Sequence, residues 1–169
     1  MKRVLGIAVF LILVALVSLR AEGRRNPSFL LQLAGSHNSI YPDTAVWKVG
    51  EPVRVIVTMT NQTKRDVHYT LTNPGMDWEM AVRDSGGNPV GETDWFRQMK
   101  EDRKNGSFIV ARNFFGTLRP NQQAQDVIEV QMFYDLSRAG NYSIQVQRAL
   151  PDVAKDPIKS NRLALTITP

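Results

Sequence analysis

The sequence predicts an all-β fold, an antiparallel β-sandwich of seven to nine strands placed behind an N-terminal signal helix. Three observations carry this. Apolar residues alternate with period two in six separate runs. Clusters of Gly, Pro, Asn and Asp separate those runs. After the leader, no stretch keeps a 3.6-residue period over helical length.

The leader comes first. Lys2 and Arg3 precede an apolar run over 4–19, broken only by Gly6 and Ser18, and Arg20, Arg24 and Arg25 follow. Sixteen residues fall short of the roughly 20 that span a bilayer as a helix. Residues 1–21 therefore read as a signal peptide, with Ala21 suited to cleavage, or as an uncleaved anchor. The protein is expected to be exported, periplasmic or secreted, and to touch a membrane only through 4–19 if that segment stays attached. Residues 22–42 read as an N-terminal segment with the first strand, and 43–169 as the sandwich.

Each strand can be justified in turn. In "PVRVIVTMTN", Val53, Val55, Val57 and Met59 share one face, while Arg54, Ile56, Thr58 and Thr60 share the other. "DVHYTLT" groups Val67, Tyr69 and Leu71; "DWEMAVRD" groups Trp78, Met80 and Val82. "DVIEVQMFYD" places Ile128, Val130 and Met132 together, and "YSIQVQR" does the same for Tyr142, Ile144 and Val146. Last, "RLALTIT" turns Leu163, Leu165 and Ile167 inward. One polar face per strand and short connections imply two sheets packed face to face. The segment "TDWFRQMKEDRK" reads as a strand leading into a loop, or as one short helical turn.

Composition removes several functions. The leader holds three of the 21 basic residues and none of the 16 acidic ones, so the remainder is near +2. The one dense charged run, "KEDRKN", mixes both signs, which does not make a nucleic-acid face. With no cysteine and two histidines lacking ligand spacing, no metal or cofactor site is expected. Ser36, His37 and Asp43 lie close in sequence but lack a strained nucleophile turn, and the chain is expected not to be an enzyme.

"YDLSRAGNYSIQVQR" is the most patterned stretch. Tyr142 follows Gly140 by two residues at the start of a strand, with Leu136 six residues ahead, which resembles the tyrosine corner of immunoglobulin-like sandwiches. Several segments in order, "WKVGEPVRVIVTMTNQTKRDVHYTL", "WEMAVRDSGGNPV", "LRPNQQAQ" and "YDLSRAGNYSIQVQ", resemble the framework of the bacterial BsuPI-type proteinase-inhibitor domain. The resemblance covers roughly residues 47–147, with Asn61, Asp84, Gly87, Pro120, Gly140 and Tyr142 in the framework order. It departs at Asn121, where glycine is usual, and at Ala139, where proline is usual. No reactive loop is matched. The resemblance implies an immunoglobulin-like fold, with Asn61, Gly87, Pro120, Leu136, Gly140 and Tyr142 as structural residues.

A binding surface is expected in 92–108, where Trp95 and Phe96 stand beside Arg97, Lys100, Arg103 and Lys104. Aromatic and arginine side chains are the usual anchors of interfaces. The leading expectation is a non-enzymatic, exported interaction module of the bacterial envelope or extracellular space, with a protein or glycan partner. A proteinase inhibitor using 97–104 as a loop, or a carbohydrate or cell-wall binding module using Trp95, are the alternatives.

Overall fold

The computed structural model describes residues 29–37, 44–107 and 113–169. The leader and the boundary between 42 and 43 lie outside the described residues. Ten strands are present among those described: β1 (Phe29–Ser36), β2 (Val46–Lys48), β3 (Arg54–Asn61), β4 (Val67–Leu71), β5 (Glu79–Asp84), β6 (Phe114–Leu118), β7 (Gln123–Glu129), β8 (Gly140–Arg148), β9 (Ile158–Lys159) and β10 (Leu163–Thr168). The number exceeds seven to nine because β2 and β9, of three and two residues, are too short for alternation to announce. Two helices, α1 (Pro74–Asp77) and α2 (Asp94–Lys104), interrupt the strands.

The fold is an all-β, immunoglobulin-like sandwich. One sheet runs β1-β3-β7; the other runs β2-β10-β8-β5, with β9 added to β8. Every pairing in these sheets is antiparallel except β2 with β10. A separate ribbon pairs β4 with β6. The core lies between the two large sheets, where Val55, Val57 and Met59 of β3 join Ile128, Ile144, Val146, Leu165 and Ile167. Trp47 and Trp78 are the largest side chains closed inside. Burial of one such aliphatic side chain is worth about 1.5–3 kcal/mol, so this continuous set dominates the stability of the domain. Ile56, on the opposite face of β3, is buried as well; its register neighbours there are Ala34 and Val127.

Alternation fails in one predicted strand. β7 ends at Glu129, and Val130–Met132 form a single 3-10 turn. Val130 stays buried while Met132 turns outward, because the turn breaks the two-residue period between them.

The framework residues have physical jobs. Asn61, fully buried at the end of β3, donates through Nδ2 to the carbonyls of Arg65 (2.8 Å) and Leu118 (2.7 Å). Its Oδ1 accepts from the backbone N–H and the hydroxyl of Thr63. The turn Arg119–Gln122 closes with a 3.0 Å bond from the Gln122 N–H to the Arg119 carbonyl. Pro120 takes its first central position, and Asn121 takes the second at φ 64°. That is a type II arrangement in which asparagine replaces glycine at tolerable cost. Gly87, at φ 81°, closes the turn after β5, where the Asp84 carboxylate accepts from the Asn88 N–H.

Candidate functional site

The predicted binding segment is a helix. Asp94–Lys104 form eleven residues of α-helix, neither a strand nor a single turn. Thr93 caps its start, accepting from the Phe96 N–H through Oγ1 while donating to the Met132 carbonyl. Asp94 lies in the first turn, Arg103 and Lys104 in the last, each favourable with the helix dipole. The end is a Schellman arrangement. The Gly106 N–H bonds the Arg103 carbonyl and the Ser107 N–H bonds the Asp102 carbonyl, with Gly106 at φ 71°. Phe96 and Met99, three residues apart, are the two buried side chains that dock α2 on the sandwich. An apolar stripe of two residues is too short to stand out among alternating strands, although the Thr-Asp start and the Asn-Gly stop were in the sequence.

The six predicted residues separate into three groups. Phe96, 5 % exposed, belongs to the core, with its ring 5.1 Å from Phe133 and 5.9 Å from Tyr134. Arg97 and Lys100 are engaged within the domain. Arg97 bonds the Glu92 carbonyl and the Asp94 carboxylate; Lys100 pairs with the Glu92 carboxylate and sits 5.0 Å over the Phe96 ring. Such exposed ion pairs are worth about 0–1 kcal/mol, enough to orient the side chains and little more. Trp95, Arg103 and Lys104 are exposed.

Trp95 is therefore the large apolar side chain that α2 leaves exposed. Its ring is 46 % exposed yet held 5.8 Å from Phe133, and Met132, also 46 % exposed, lies in the adjoining 3-10 turn. At the start of α2 an open cleft of about 570 Å³ is lined by Glu51, Glu92, Asp94, Arg97, Tyr134 and Asp135, among others. Tyr134 donates to the Met80 carbonyl at 2.7 Å. Burial, with added repulsion from Glu92 and Glu79, pushes its phenol up to about 12, so it remains a neutral donor. Hydrogen bonds from Ser137 hold the Asp135 carboxyl below the usual range. The cleft thus presents fixed charges and hydrogen-bonding groups, not a nucleophile beside a base.

The remaining polar residues form no catalytic arrangement among the described residues. His68 lies on the exposed face of β4, its Nδ1 2.9 Å from Thr117 Oγ1. His37 is 6.0 Å from the Trp47 ring, Ser36 is buried in β1, and Asp43 lies outside the described residues. No group of three or more His, Cys, Asp or Glu suited to a metal ion occurs among the described residues. None of the described helices is long and apolar enough to cross a membrane.

Residues 39–168 match the family model for the N-terminal domain of flagellar collar protein C. No curated protein matches the chain significantly. Among solved structures, the chain is similar to a CARDB domain from Pyrococcus furiosus in complex with di-metal ions. That likeness has 11 % identity and a TM-score of 0.41, covering 84 % of this chain and 94 % of the other. A β-glucosidase from Listeria innocua in complex with glucose aligns at 10 % identity and TM-score 0.40, over 83 % of this chain and 16 % of the enzyme. A β-glucosidase from Erythrobacter marinus aligns at 14 % identity and TM-score 0.39, over 83 % of this chain and 15 % of the enzyme.

Proposed function

The chain belongs to the flagellar collar protein C N-terminal domain family, and from that membership we propose that it is a non-enzymatic, exported interaction module of the bacterial envelope that holds a protein partner on the face of α2. The observation that carries this reading is the placement of Trp95. A large aromatic ring stays half exposed on a helix that Phe96 and Met99 fix to the core, beside an equally exposed Met132. A large aromatic side chain already held in place is what interface hot spots are made of, because little conformational entropy is lost when it is covered. The inhibitor alternative placed a long loop around 97–104 in a protease cleft. That segment is helical instead, with Arg97 and Lys100 bound back onto Asp94 and Glu92, which favours the interaction-module reading.

The test is a photo-crosslinking amino acid at position 98 of the full chain, exposed on α2 one turn beyond Trp95, expressed in its native host. Crosslinks to a component of the flagellar envelope apparatus, absent when the crosslinker sits at Gln123, exposed at the end of β7 away from the 3-10 turn, are the expected result. Crosslinks to glycan alone, or none at position 98 while position 123 reacts, would remove the α2 face from the function.

A further inference from the structure

A second groove, apart from α2, lies between the β4–β6 ribbon and the segment that leaves β8. It is a cavity of about 540 Å³ lined by His68, Thr70, Phe115, Thr117, Arg148 and Leu150, among others. The β4–β6 ribbon is tied down at three places. Asn61 bonds the Leu118 carbonyl, the Arg148 Nη2 donates to the Thr70 carbonyl, and the Tyr69 ring covers Gly116, where a Cβ would meet the ring at 2.4 Å.

Arg148 is the unusual group. Its guanidinium stacks 5.1 Å over the Trp78 ring, spends Nη2 on Thr70, and leaves Nη1 closed off with no hydrogen-bond partner among the described residues. Asp77 and Asp126 act on it through their charge, and neither forms an ion pair with it. Asp77 is engaged by Thr72, and Asp126 by the Trp78 indole. Nη1 is thus a buried donor without an acceptor, an arrangement that costs stability. Around the opening stand Arg65, whose guanidinium bonds the Asp152 carbonyl, and His68; Asp152 is the acidic side chain on that rim. Phe115, 75 % exposed, forms an apolar wall.

We propose that this groove binds an acidic peptide segment of a partner, with one carboxylate held by Arg148 and the neighbouring residues packed on Phe115. A guanidinium with a spare N–H is suited to a planar anion, which it engages with two parallel bonds. At the groove the guanidinia of Arg148 and Arg65 stand against one lining carboxylate, Asp152, a balance that favours an acidic ligand. Binding turns the guanidinium from the Thr70 carbonyl toward the cavity that it lines, and gives Nη1 the acceptor it lacks.

The experiment is a titration of isotope-labelled full chain with hexaglutamate, and with hexaglutamine as the neutral probe, read by amide and arginine side-chain NMR. Hexaglutamate is expected to shift the Arg148 side chain and the amides of residues 68–70 and 115–117 saturably, while hexaglutamine does not. Thr117→Glu, an exposed change that adds a negative charge at the rim, should weaken binding roughly tenfold or more. Trp95→Ala should leave it unchanged, which separates this groove from the α2 face. The proposal is overturned by equal shifts with both peptides, by shifts confined to Arg103 and Lys104, or by no shift at Arg148 at millimolar peptide.

Discussion

The Tyr142 hydroxyl donates to the carbonyl of Arg138, four residues upstream, at 2.8 Å, and its ring lies against Gly140. The bond closes the loop into β8, while Leu136 below it is buried in the core. This is the corner geometry that ties the start of a late strand to the preceding turn.

Tyr142→Phe keeps the ring and removes that one bond. Because the hydroxyl is near solvent, the expected loss is about 0.5–1.5 kcal/mol in urea denaturation, with the slope unchanged. An unaltered midpoint would show that the ring alone holds the corner.

Asn61 joins the turn that follows β3 to β6 through one side chain. Asn61→Ala strands the buried Leu118 carbonyl and frees the Thr63 turn, so about 2–3 kcal/mol should be lost. Asn61→Asp should fare no better, since its carboxylate cannot donate to either carbonyl. A denaturation midpoint within error of the wild type for both variants would refute the accounting.

Trp95 and Phe96 are neighbours in sequence with opposite fates. Phe96→Ala should cost about 3–5 kcal/mol, because it opens a cavity against Phe133 and Tyr134. Trp95→Ala should cost under about 1 kcal/mol while abolishing crosslinks from position 98 on the α2 face. Equal losses of stability would place Trp95 in the core and remove it as an interface anchor.

Tyr134 has its phenol pushed up to about 12, above the ordinary value of 10. The folded protein therefore keeps a proton that the unfolded chain releases in that window. Its contribution is complete below pH 10 and is lost as the pH rises through 10 to 12. Wild type should lose stability over this range more steeply than Tyr134→Phe, in which the difference curve isolates the phenol from the titrating lysines. Parallel curves would mean that the hydroxyl is not buried against Met80.

The inward sets of β3, β5, β8 and β10 were legible because one buried face imposes a period of two, and each of those strands has one. The corner at Tyr142 and the turn at Pro120–Asn121 were legible for another reason. Each is a local conformation that its own residues prefer. α2 was not legible in the same way. Only Phe96 and Met99 face inward, and whether "DWFRQMKEDRK" coils depends on Phe133 and Tyr134 being there to receive them.

The candidate binding residues illustrate the same limit. Composition placed aromatic and basic side chains together in 92–108, but it could not separate Phe96 in the core from Trp95 on the surface, because that choice is a rotation of about 100° on a helix. Nor could it show that Glu92 and Asp94 occupy Arg97 and Lys100. Arg148 carried no signal at all, since its partners Thr70 and Trp78 lie some seventy residues away in the chain. By itself the sequence determined the β class, the inward faces of β3, β5, β8 and β10 and the turn at Pro120–Asn121, all carried by patterns local in the chain. Only the tertiary structure decided which exposed side chains are spare, because that depends on what distant segments bring within hydrogen-bonding and packing distance.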